Sequence, residues 1–293
     1  MEGYVATIGM FDGVHRGHQF VLRHVVETAR ECSLQSMAIT FDTFGTFGKP
    51  QLTPLADKVR LLAATGIDRV EVLPFTDQLR HLTARQFMQQ VLQQRLAVRV
   101  LLIGYDNRFG YRREEGFADY VRYGRELGID VRQLPADGRV SSSLVRQLLS
   151  DGRVSDVTAA LGRPYAVVGR VAHGEHVGTT LGFPTANVEP LSAQQLVPAS
   201  GAYAVLVRLE GSARMLHGMM NIGHRPTFDG RRQTLEVNIF RLDRDLYGQQ
   251  LEVLFIGRLR DERCFEGADA LKAQLAADAR HAEQLLNTYQ TSL

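Results

Sequence analysis

Residues 4–8, Tyr-Val-Ala-Thr-Ile, are a short apolar and partly β-branched run, the pattern of a buried strand. Behind it Phe20, Val21, Val25, Val26, Ala29 and Cys32 return at helical spacing, which predicts a helix beginning near His18. The alternation then repeats. Strands are predicted at 35–41, 70–75, 98–104 and 130–134, with helices at 54–65, from the N-cap Thr83 through Leu92, and at 117–127. Residues 42–50 read as a loop. Strands alternating with helices imply a parallel sheet covered on both faces, with ligands gathering at the carboxyl ends of its strands.

The texture changes near Gly162-Arg163-Pro164. Beyond it, alternating runs at 165–171, 201–209, 216–222, 234–242 and 251–259 are separated by turn residues, which predicts a small antiparallel barrel. Leu271, Leu275, Ala279, Ala282 and Leu286 then line one side of a closing amphipathic helix. The expected organisation is two domains, 1–162 of α/β class and 163–293 mainly β.

Composition narrows the function classes. A chain of 293 residues with 44% hydrophobic content can build two sizeable cores. Its net charge of +2 gives no global basic field for nucleic acid. Cys32 and Cys264 are too few for a disulfide framework or a cysteine-ligated metal. No run reaches the roughly 18 apolar residues of a membrane span, and the first strand begins without a charged-then-apolar leader. The expectation is a cytoplasmic globular protein acting on small molecules, with neither nucleic acid nor membrane as a partner. Oligomeric state has no signal in the sequence.

The chemistry starts at residues 9–18, Gly-Met-Phe-Asp-Gly-Val-His-Arg-Gly-His. A strand, a turn containing Gly9, Gly13 and Gly17, and a helix N-terminus together form an anion site, because free backbone N–H groups and the positive end of the helix dipole converge there. His15 and His18, three apart, can both serve it from the first helical turn, as cations or as neutral donors. The stretch resembles the H-x-G-H nucleotidyltransferases. In its longer form, G-x-F-D-G-x-H-x-G-H, it resembles the adenylyltransferase module of the prokaryotic bifunctional riboflavin kinase/FAD synthetases. The resemblance implies a Rossmann-like domain that binds ATP through Gly9, Phe11, Asp12, Gly13 and Gly17, with His15 and His18 as catalytic residues.

Two later stretches fit the same module. Residues 104–110, Gly-Tyr-Asp-Asn-Arg-Phe-Gly, resemble its G-x-D-x-R-F-G loop and imply a binding role for Asp106, although many members carry Phe where Asn107 stands. Residues 141–146, Ser-Ser-Ser-Leu-Val-Arg, open a helix that includes Leu148 and Leu149. Hydroxyls of Ser141 and Ser142 with free N–H groups suit a triphosphate, and Arg146 would neutralise its charge; the segment resembles the family's I-S-S-T/S-x-x-R motif. One departure stands out. Where many members read T-F-D-P-H-P, this chain reads Thr40-Phe41-Asp42-Thr43-Phe44-Gly45.

In the second half, residues 182–187 read Gly-Phe-Pro-Thr-Ala-Asn, a turn whose hydroxyl and amide carbonyl are hard oxygens of the type a Mg²⁺–nucleotide site uses. With residues 178–181 included, the segment resembles the riboflavin kinase signature G-x-x-L-G-F-P-T-A-N. That implies Gly182 at the nucleotide and Thr185 and Asn187 on Mg²⁺ and phosphate. Residues 218–228, then 235–240 and Tyr247-Gly248, follow in the family's order. Strand alternation puts Leu235, Val237 and Ile239 on one face and Glu236 on the other. The resemblance makes Glu236 the general base toward the ribityl 5′-hydroxyl, and places Arg260 and Phe265 over the flavin. The expected function is phosphorylation of riboflavin by ATP to FMN in 163–293, and adenylylation of FMN by ATP to FAD in 1–162. A kinase alone, its transfer step lost through the altered 43–45 loop, and a non-catalytic flavin- or nucleotide-binding regulator are the competing readings.

Overall fold

The computed structural model describes residues 3–42, 50–135, 140–173, 182–227 and 230–291, with only the backbone described at 225–227, 230–232 and 290. Two compact units result, Met1–Ser142 and Ser143–Leu293.

In the first unit the described residues form a five-stranded parallel sheet in the order β3-β2-β1-β4-β5. The strands are β1 Tyr4–Ile8, β2 Gln35–Asp42, β3 Arg69–Pro74, β4 Val98–Ile103 and β5 Asp130–Gln133. The α/β class read from the alternation is borne out. Strand parity explains the layering. Ala6, Ile8, Met37, Ile39, Leu101 and Ile103 pack on one face, whereas Val5, Ala38, Val100 and Leu102 pack on the other. Helices α1 (Arg16–Glu31) and α2 (Leu55–Ala63) cover the second face through Leu22, Val25 and Leu62. The first face is covered by α4 (Ala84–Phe87), by the π-helix Met88–Arg95 that continues it, and by α5 (Phe117–Leu127). Thr83 caps α4 in a full capping box with Gln86, as its position predicts. The short helix α3 (Asp77–Arg80) has too few residues for a periodic signal. Strand order reverses at β1, so the crevice between the ends of β1 and β4 is the topological switch point.

Helix α6 (Ser142–Ser150) has its first residue in the first unit and the rest in the second, where α7 (Val154–Leu161) follows. The division at Ser142 falls before Gly162 because α7 packs against strands of the second unit, β6 and β11. Among the described residues a closed antiparallel barrel follows, in the order β10-β7-β6-β11-β8-β9. Its strands are β6 Tyr165–Ala172, β7 Ala186–Pro190, β8 Gly201–Leu209, β9 Met215–Thr227, β10 Gly230–Ile239 and β11 Gln250–Arg260. The expected barrel is present, with one strand more than the alternation predicted. The added strand is β7, whose first residues, Ala186 and Asn187, fall in the segment where Gly182 and Pro184 predict a turn. Helix α8 (Ala268–Thr291) packs Ala282 and Leu286 against Ala204, Leu206 and Met219, using the stripe its sequence shows.

Candidate active sites

The turn after β1 is held from several sides. Gly9 N donates to Ile39 O at 3.0 Å, tying it to β2. Asn107 Nδ2 donates to Ile8 O, so the loop after β4 closes onto the end of β1. Asp12 is a clamp: its carboxylate accepts the backbone N–H of Leu52 at 3.0 Å and of Thr53 at 3.1 Å, while its carbonyl accepts Ser142 Oγ at 2.8 Å. Gly13 sits at φ 86°, in the left-handed region open to glycine at little cost.

Helix α1 starts at Arg16, two residues earlier than the apolar spacing predicts, because His15 itself is the N-cap and accepts His18 N at Nδ1 (3.3 Å). The two imidazoles stack, with centroids 3.6 Å apart and planes 18° apart. Gly17 lies close beside this pair, since a Cβ there would stand 3.3 Å from the His15 ring. The Phe11 ring is buried and meets His18 edge-on at 5.2 Å, so its side chain backs the histidine. Burial, then the His15 and Lys58 charges, push the His18 pKa well below the usual imidazole value. His18 is therefore a neutral ring near pH 7. Its Nδ1 is buried without a hydrogen-bond partner.

Other expected residues divide. Ser142 is on the turn through Asp12, and Arg146 lies one turn further along the same helix, in the second unit. Asp106 and Ser141 are exposed. Phe109 of the 104–110 loop is core, stacked on Tyr120 at 4.2 Å. The altered segment at 43–45 lies outside the described residues, as do 178–181 of the second motif. One residue the sequence reading missed is Lys58, buried on α2 with its ammonium on the Met10 and Phe41 carbonyls. Its signal was present: it precedes Leu62 by four on the helix and shares its buried face.

In the second unit, sheet register assembles what the chain separates. Glu236 pairs directly with Asn187 on β7 and with Asn221 on β9, so the three side chains form one row across three strands. Asn238, two further along β10 and buried, donates Nδ2 to Pro184 O at 2.7 Å and so fixes the approach to Thr185. Two cavities meet at Thr185. One, of about 280 Å³, is lined by Glu236, Asn221, Phe183, Met219, Arg260 and Phe265. The other, of about 370 Å³, is lined by Asn187 and Arg244 and by His173 stacked on Tyr247 at 3.7 Å. Phe265 lies beside the Arg260 and Arg263 guanidiniums, at 5.5 and 5.7 Å. Arg260 Nε is held by the buried Asp278 carboxylate at 2.8 Å. His173 and Asp278 were invisible to the sequence reading, since no motif spacing connects either to Glu236. Gly182 is exposed at φ 82°.

Comparison with known proteins decides the family. Residues 1–144 match the FAD synthetase family and residues 161–286 the riboflavin kinase family. A bifunctional riboflavin kinase/FMN adenylyltransferase of Escherichia coli (strain K12) is 42% identical over 97% of this chain and 93% of that protein. The chain belongs to this bifunctional family. A Haemophilus influenzae member is 37% identical over 98% and 96% of the two chains, and a Listeria monocytogenes member 34% identical over 94% and 90%. A solved structure titled macrolide-efflux protein from Streptococcus pneumoniae shares the fold, with a TM-score of 0.86 and 29% identity over 96% of this chain and 94% of that one. Among the described residues no helix is long and apolar enough to cross a membrane.

Proposed function

We propose that the chain makes FMN in its second half and FAD in its first. In the kinase step the ribityl 5′-hydroxyl oxygen of riboflavin bonds to the γ-phosphorus of ATP while the bond to the bridging β,γ-oxygen breaks and ADP leaves. Glu236 accepts the hydroxyl proton. The observation that carries this reading is the pairing of Glu236 with Asn187 beside Thr185, where the two cavities meet. Glu236 lines the more apolar cavity, which suits a flat vitamin, and Thr185 joins it to the second cavity, where Asn187 and Arg244 suit a nucleotide. Thr185 Oγ1 and the Asn187 amide oxygen fit a magnesium site: both are hard, neutral oxygens, which leaves phosphates and water to complete the shell. Bound there, Mg²⁺ would neutralise charge on the phosphate oxygens. Arg260, fixed by Asp278, and Phe265 cover the flavin ring.

In the transfer step the FMN phosphate oxygen attacks the α-phosphorus of ATP in line, and pyrophosphate leaves. The nucleophile is already an anion, so no general base is needed. Backbone amides of the turn between Gly9 and Gly17, with neutral His18, His15, Ser141, Ser142 and Arg146, stabilise the charge that builds on the phosphoryl oxygens. Asp12 holds the turn in shape, and Asp106 lines the approach. Functionally we place α6 and α7 with the transferase, residues 1–162, because α6 starts on the Asp12 carbonyl and carries Arg146; residues 163–293 form the kinase. Its partners are riboflavin, FMN and ATP, and we place it in the cytoplasm.

Purified protein given FMN, ATP and Mg²⁺ tests the transferase, and given riboflavin, ATP and Mg²⁺ tests the kinase. FAD and FMN are the expected products. Absence of FAD alone would reduce the protein to a kinase, and absence of both would leave a binding protein.

A further inference from the structure

Lys58 is a lysine 5% exposed, and its Nζ donates to Phe41 O at 2.9 Å and to Met10 O at 3.2 Å. The Met10 carbonyl also accepts Thr40 Oγ1 at 3.2 Å, so the first peptide of the phosphate-binding turn is gripped by two side chains from below. Among the described residues no carboxylate lies within ion-pair distance of this ammonium. Asp12 and Asp42 act on it from further off, and the Asp12 oxygens hold the Leu52 and Thr53 amides. A cation buried on carbonyls alone is costly. Nearby stand two further costs. His18 Nδ1 is buried unpartnered, and the backbone between is left-handed at Phe11 (φ 49°) and at β-branched Val14 (φ 41°). Charge, orphaned nitrogen and strained backbone all fall in or against one stretch of nine residues, Met10–His18. An anion on the turn would offset the charge and give the nitrogen's ring a partner.

We propose that Lys58 is a positioning residue for adenylyl transfer: it locks the Met10–Gly13 turn to the end of β2 and sets a fixed positive charge behind the amides that receive phosphate. The proposal rests on the transferase reading above. The Lys58 charge also acts on His18, alongside the stacked His15, in the direction that keeps the ring neutral. On Lys58 itself burial lowers the pKa, while Asp12 and Asp42 oppose that.

Lys58→Met and Lys58→Gln remove the charge, and Lys58→Arg keeps it. With FMN and ATP supplied to the full chain, the uncharged variants should lose at least about tenfold in kcat/KM for FAD, mostly in kcat, with partial recovery in Lys58→Arg. Dispersed NMR spectra of the full chain, compared with wild type, report that the first unit of each variant is folded, and FMN formation reports the same for the barrel. Independently of turnover, NMR titration of the His18 ring without ligand should show its midpoint moving up in Lys58→Met and Lys58→Gln and staying low in Lys58→Arg. A scaffold residue would not produce that pattern. FAD formation within about twofold of wild type in the uncharged variants overturns the proposal, as does an unmoved His18 midpoint. A wild-type protein that makes no FAD sinks the transferase reading instead, and the titration then decides Lys58 alone.

Discussion

The turn after β1 and the corner of the barrel are the two phosphate sites we propose, and they are built from opposite side chains. The first offers backbone amides, two stacked imidazoles and a buried lysine. The second offers a carboxylate, a hydroxyl and two amides, arranged by strand register. The difference follows from the nucleophile. A phosphate attacking a phosphate is already charged, and the site need only gather positive potential and hold the in-line geometry. A ribityl hydroxyl must lose a proton, so its site needs a base, and a base beside a triphosphate needs a metal to keep the charges compatible. Where the chemistry starts charged, the fold supplies dipoles; where it starts neutral, the fold supplies a carboxylate.

The sharpest way to break this contrast is Glu236→Gln. FMN formation should fall by roughly 10²-fold or more while FAD formation from supplied FMN persists; assays with riboflavin and with FMN separate the two, and a fully active kinase would remove the base. Next in size is His18→Ala, expected to cut FAD formation by about 10²-fold with FMN formation retained, because one preorganised donor to the phosphoryl oxygens is lost. Unchanged FMN-to-FAD conversion would take the imidazole out of the mechanism.

Asn238→Ala tests the barrel corner without touching the base. It strips the partner from the Pro184 carbonyl, which should cost about 1–3 kcal/mol of barrel stability and raise the KM for ATP in the kinase step. Urea unfolding and initial rates measure both, and an unaltered KM would detach Thr185 from the nucleotide. The smallest effect concerns pH. A His18 pKa held below 6.5 means the folded chain binds fewer protons there than the unfolded one. Its contribution to stability is therefore complete above pH 6.5 and is lost as pH falls from there through the folded value. Melting temperatures at pH 7.5 and 5.5 should show a loss in wild type that His18→Gln reduces.

The site in the first unit was readable as a ten-residue motif because its parts are local: glycines, the capping His15 and the helix start lie within one turn of chain. Glu236, Thr185 and Asn187 were readable only as separate strings. Their meeting depends on β7 lying beside β10, and β7 was itself hidden behind Pro184. Phe109 shows the reverse case, a motif residue whose side chain the fold spends on packing Tyr120. Lys58 and Asp278 belong to neither motif. Each looks like an ordinary charge on an amphipathic helix until the helix is laid against a site.

Periodicity and glycine placement, properties of neighbours along the chain, determined the parallel sheet, the barrel and the glycine-rich turn after β1. Tertiary structure alone decided which carboxylate faces which amide, which lysine loses its water and which histidine has its pKa pushed down. Those outcomes depend on burial and on partners brought from distant segments, and desolvation is a property of the packed interior that no local pattern encodes.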